Sequence, residues 1–66
     1  MDNKRLSGVF TKDYSGGIFL RAWIRSNQGT LYEVGRDYAL DLQIPSGTQV
    51  TFIVDYESVR GVEVIK

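Results

Sequence analysis

Apolar residues recur at every second position along almost the whole 66-residue chain, and they are rich in Val, Ile, Phe and Tyr, interspersed with Thr. Those side chains fit a pleated, half-buried surface, and a period of two places successive residues on opposite faces of an extended strand. No helical periodicity competes, so the pattern predicts strands throughout. The first spans residues 5–12, with Leu6, Gly8 and Phe10 on one face and Ser7, Val9 and Thr11 on the other. Asp13-Tyr14-Ser15-Gly16-Gly17 reads as a turn, because paired glycines permit a positive φ. In the second strand Ile18, Leu20, Ala22 and Ile24 form the expected core face, alternating with Phe19, Arg21, Trp23 and Arg25. Ser26-Asn27-Gln28-Gly29 then turns the chain into a third strand over residues 30–34, which Gly35 breaks.

Residues 37–44 alternate Tyr38, Leu40, Leu42 and Ile44 with Ala39, Asp41 and Gln43, and read as a strand that Pro45 stops. Residues 48–56 read as the longest regular strand, with Val50, Phe52, Val54 and Tyr56 inward. A turn over 57–60 leads to a last strand over 61–65, with Val62 and Val64 facing the core. Five or six short antiparallel strands with turns every 8 to 12 residues predict a small all-β barrel, because closure hides edges that so short a chain could hardly protect otherwise. Residues 1–4 are expected to be a loose end and 5–66 a single domain.

At 7.5 kDa the chain can bury only about 60% of the surface its unfolded form exposes, which leaves one core and no deep cleft. It has no Cys and no His, so the thiolate nucleophile, the usual zinc ligands and the usual neutral-pH base are all missing. Glu33, Asp37, Asp41, Asp55, Glu57 and Glu63 are dispersed, and Gly16-Gly17 lacks any phosphate-loop consensus. The reading is therefore non-catalytic, with no metal and no cofactor. No run of eighteen apolar residues occurs, so no membrane partner is expected and the cytoplasm is the expected compartment.

Chemistry concentrates on the second strand, where Phe19, Arg21, Trp23 and Arg25 share the non-core face. Side chains two apart on a strand lie about 7 Å apart, a spacing that suits bases stacked on rings while guanidinium groups reach phosphates. Lys12 and Tyr14 are candidates to extend this surface from the neighbouring strand. The competing reading is that the rings pack beneath loops or neighbours and the arginines cover them by cation–π contact. Tyr32 and Tyr38 suit boundary positions at the barrel rim. The net charge of zero hides an uneven distribution. Residues 1–30 hold five basic residues against Asp2 and Asp13, and residues 31–66 hold six acidic residues against three basic ones. If the first two strands are adjacent, this predicts one basic, aromatic side and one acidic side.

Several segments resemble a divergent cold-shock domain, a five-stranded OB-fold barrel. Gly8-Val9-Phe10-Thr11-Lys12 is similar to the family's glycine-led first strand, and Ser15-Gly16-Gly17-Ile18-Phe19-Leu20 can be laid on its second-strand motif. There Gly17 stands in place of the first aromatic and Ser15 in place of lysine. Pro45 to Phe52 and Gly61 to Ile65 resemble its last two strands. The resemblance implies binding of single-stranded RNA or DNA, with Phe19 as a stacking aromatic. An SH3-like barrel is the alternative fold. The alternative function is a protein-interaction or self-associating module using the same aromatic face, and an engineered barrel without a ligand is a third possibility.

Overall fold

The computed structural model describes residues 4–56 and 58–65. Among these residues, strands β1 (Leu6–Ser15), β2 (Ile18–Ser26), β3 (Leu31–Val34), β4 (Thr48–Asp55) and β5 (Ser58–Val64) form one antiparallel sheet, and one helix, α1 (Arg36–Asp41), lies between β3 and β4. Gly16 and Gly17 both have positive φ, 58° and 82°, the requirement of a two-residue hairpin turn whose twist matches its strands. The turn is therefore confined to those two residues. Asp13 to Ser15 belong to β1, which at ten residues is longer than the eight-residue β4 expected to be the longest.

The strand order is β3-β2-β1-β4-β5. The chain from β3 through α1 carries β4 back to lie beside β1, the Greek-key arrangement, and the sheet curls into a partly open barrel. Phe10, Ala22, Ile24, Val50 and Phe52 are fully buried at its centre, joined by Val34, Phe19, Val59 and Val62. Gly8 is needed where it is: an added Cβ would meet the Arg25 carbonyl and lie 2.9 Å from Ile24 Cγ2.

Three further groups of expectations change. Residues 36–41 are helical rather than extended. The same residues that alternate also place Tyr38 and Leu42 four apart, and short apolar runs do not distinguish the two periods. The helix packs Ala39 fully into the core, with Tyr38 and Leu42 partly buried, while Leu40 is exposed. The face assignment of β2 also fails at its start. Asp13 pairs with Arg21 but Tyr14 with Phe19, so Leu20 is an extra residue, a β-bulge. Alternation restarts across it: Phe19 turns into the core, and Ile18 and Leu20 turn outward, 67% and 53% exposed. A third change concerns the ends of β4 and β5. Tyr56 lies beyond β4 with φ 50°, 96% exposed rather than inward. Ser58 to Arg60, expected in a turn, begin β5, while Glu57 and most of the expected loose end lie outside the described residues. A second bulge opposes Phe52 to Gly61 and Val62; Val62 is buried, but Val64 remains 45% exposed.

Candidate nucleic-acid interface

Pairing of β1, β2 and β3 sets the outer face of the barrel in rows. Val9, Arg25 and Leu31 form one row, Thr11, Trp23 and Glu33 the next, and Asp13 and Arg21 the third. Residues directly opposite each other in antiparallel ladders share a face, so Arg21, Trp23 and Arg25 project together with these neighbours. Trp23 is half-buried, both arginines are exposed, and the Arg21 guanidinium lies over the indole at 5.3 Å. That cation–π contact is the covering arrangement anticipated for the stripe, and it leaves the indole partly accessible. A shallow groove of 550 Å³ runs here, lined by Arg21, Trp23, Arg25, Gly29, Leu31 and Glu33.

Phe19, Lys12 and Tyr14 do not join this group. Phe19 is only 7% exposed on the inner side, with the Tyr14 ring edge-on at 5.6 Å and the Arg36 guanidinium 5.7 Å from its centroid. The bulge at Leu20 removes it from the stripe, and with it the stacking role that the cold-shock resemblance implies. Lys12 pairs with buried Ala22, so its side chain leaves the inner face of β1. Its Nζ donates to the Leu42 carbonyl at 2.7 Å, at the C-terminal end of α1, where a cation is favourable. Ser46 Oγ brackets the Lys12 backbone, accepting from its N–H at 2.8 Å and donating to its carbonyl at 3.0 Å. Lys12 is thus a tie between β1, α1 and the loop before β4. Tyr14 is half-exposed at the end of β1, on the side of Phe19. Tyr32 and Tyr38 pack as boundary residues: Tyr32 meets Phe52 edge-on at 5.5 Å, and Tyr38 Oη accepts from the Val62 N–H at 3.0 Å.

Leu31 and Glu33 are part of the groove that strand periodicity alone did not assign to it. The signal for them was the turn at Ser26 to Gly29. A hairpin there sets Leu31 opposite Arg25 and Glu33 opposite Trp23. Charge on this face is balanced, with Arg21 and Arg25 set against Asp13 and Glu33, so the uneven distribution along the chain does not become a basic outer face on β1 to β3. Folding also interleaves the two halves elsewhere, since Arg5 approaches Glu63 at 3.8 Å and donates to Thr51 Oγ1 at 2.9 Å.

Among the described residues no group of three acidic, His or Cys side chains is placed to hold a metal ion, and no helix is long and apolar enough to cross a membrane. No protein-family model matches the chain, and no curated protein or solved structure matches it.

Proposed function

We propose that this barrel is a non-catalytic, cytoplasmic protein that binds a short single-stranded stretch of RNA or DNA across the outer face of β2 and β3. The observation that carries the reading is the partly buried Trp23, whose indole borders an open groove and stands between two exposed arginines. The OB-fold, a partly open five-stranded Greek-key barrel, presents its strand 2–3 face to oligonucleotides. An indole is a stacking surface for any base, and the arginines on either side suit the flanking phosphates. The cold-shock likeness supports the reading through the strand layout, while the stacking role moves from Phe19 to Trp23.

Trp23 is the only tryptophan, so its emission reports on the groove directly. Titration of the protein with oligo-dT and oligo-U at low salt is expected to quench that emission and to raise the anisotropy of a labelled oligonucleotide. Trp23→Ala is expected to weaken binding by about 1–3 kcal/mol, the range for one base–aromatic stack. Absence of binding at low salt, or unchanged affinity in Trp23→Ala, overturns the proposal.

A second reading is favoured by the apolar residues around the same groove. Leu31 is 63% exposed, and Leu20 and Ile18 project from the same outer side of β2. A protein partner or a second copy of the chain docking there would bind with little dependence on salt and would appear as concentration-dependent association.

A further inference from the structure

Glu33 is out of place on a face proposed to hold a polyanion. It lines the Trp23 groove, whereas Asp13, the other carboxylate of this outer face, lies opposite Arg21 one row away and does not. The register sets Glu33 directly opposite Trp23 on the neighbouring strand. Side chains so placed stand about 5 Å apart at Cβ, so a glutamate reaches the rim of whatever lies on the indole. Glu33 is exposed, and the ion pair among the described residues joins Arg5 to Glu63, so neither groove arginine neutralises it. Arg21 is engaged instead on the indole, 5.3 Å from the ring centroid. A carboxylate left in this state repels phosphates whatever the sequence of the strand. It becomes favourable only when the ligand turns hydrogen-bond donors towards it.

We propose that Glu33 selects guanine as the base stacked on Trp23. This rests on the single-strand reading above, because it names the base that the same groove prefers. In a single strand the Watson–Crick edge of each base is free to be read. An ionised carboxylate only accepts, and its two oxygens accept side by side. Guanine presents two adjacent donors, N1–H and the N2 amino group, which match that pair of oxygens. Adenine and cytosine each set a ring-nitrogen acceptor beside their amino donor, and thymine and uracil flank their one N–H with carbonyls. For all four, one carboxylate oxygen meets a lone pair. Hydrogen bonds to an ionised acceptor are about twice as strong as neutral ones, so the mismatch is discriminating. Arginine reads guanine through different atoms, O6 and N7, so the atoms of the base that matter separate Glu33 from Arg21 and Arg25.

The test titrates the whole chain, by anisotropy at low salt, into labelled short oligo-dT strands whose central residue is left as thymine or replaced by guanine, adenine, cytosine, inosine or 7-deazaguanine. A single guanine in each strand avoids quadruplex formation. The guanine strand is expected to bind about tenfold more tightly than oligo-dT, the discrimination of one bidentate contact. 7-Deazaguanine, which lacks N7, should keep that preference, and inosine, which lacks only the N2 amino group, should lose it. Glu33→Gln places a donor beside its acceptor, so it is expected to abolish the guanine preference while binding oligo-dT at least as tightly as the unaltered chain. A merely structural loss would weaken both strands together. The proposal is overturned by equal binding of the guanine and thymine strands, by preference for another base, by a preference that survives in inosine or in Glu33→Gln, or by one lost in 7-deazaguanine. Equal binding of every strand leaves the single-strand reading standing and overturns this proposal alone, whereas absence of all binding overturns both.

Discussion

Phe19 and Trp23 lie four residues apart on one strand, yet they do opposite things. Phe19 is core, clamped between Tyr14 and Arg36, whereas Trp23 is only partly buried, on the outer face under Arg21. Truncating a buried Phe removes its transfer free energy and leaves a cavity, so Phe19→Ala is expected to lower stability by about 3 kcal/mol in urea unfolding. A domain of this size has roughly 3–10 kcal/mol in total, so that variant is expected to be close to unfolding. Loss of oligonucleotide binding in Phe19→Ala would then report a missing fold, whereas Trp23→Ala should keep native dispersion while losing affinity. If Phe19→Ala instead unfolds at the wild-type urea concentration, its placement in the core is wrong. Nothing in the local residue pattern separates these two aromatics, because their difference comes from a pairing event between them.

That event is the bulge at Leu20, and at the scale of elements it is the feature that most reshapes the candidate site. Two consecutive residues, Leu20 and Arg21, face outward where strict alternation would turn one of them in. Leu20→Thr is accordingly expected to change stability by no more than about 0.5 kcal/mol, the usual range for exposed positions, whereas a core Leu would lose several times that. Urea midpoints decide between the two. The helix offers a second check. Its N-cap, Gly35, has no side-chain hydrogen bond and an ordinary negative φ of −55°, and a Cβ at this position would meet no atom within 4 Å. Gly35→Asp should supply a cap, complement the helix dipole and restrict the unfolded chain, for a gain of about 0.5 kcal/mol, or roughly 2–4 °C in Tm. A lower Tm would show that the loop from β3 into α1 needs glycine for another reason.

For the whole molecule, the decisive quantity is how charge is distributed in space. Charges of the basic first half and the acidic second half meet where β3 pairs with β2, with Glu33 opposite Trp23, and where Arg5 approaches Glu63. On the proposed oligonucleotide face this leaves Arg21 and Arg25 as the phosphate contacts, with Asp13 and Glu33 beside them. With two phosphates neutralised, the slope of log K against log salt is expected to be about −1.4 for a single strand. A slope near zero would favour the protein-docking reading, and a much steeper one would require cations from elsewhere on the surface.

The alternating pattern by itself determined an all-β chain, the hairpin at Gly16-Gly17, the inward set of Ala22, Ile24, Val50 and Phe52, and the common face of Arg21, Trp23 and Arg25. These follow from periodicity and turn chemistry, which act over neighbouring residues. The tertiary structure alone decided that 36–41 is a helix, that Leu20 is bulged and Phe19 buried, and that Lys12 caps α1 rather than joining the groove. Each of those depends on contacts between segments far apart in sequence. The segment between β3 and β4 must cross back to β1, and burying Ala39 on the core satisfies that crossing with a helix. A bulge has no mark in strand periodicity, since an alternating sequence fits either face until a partner strand sets the register.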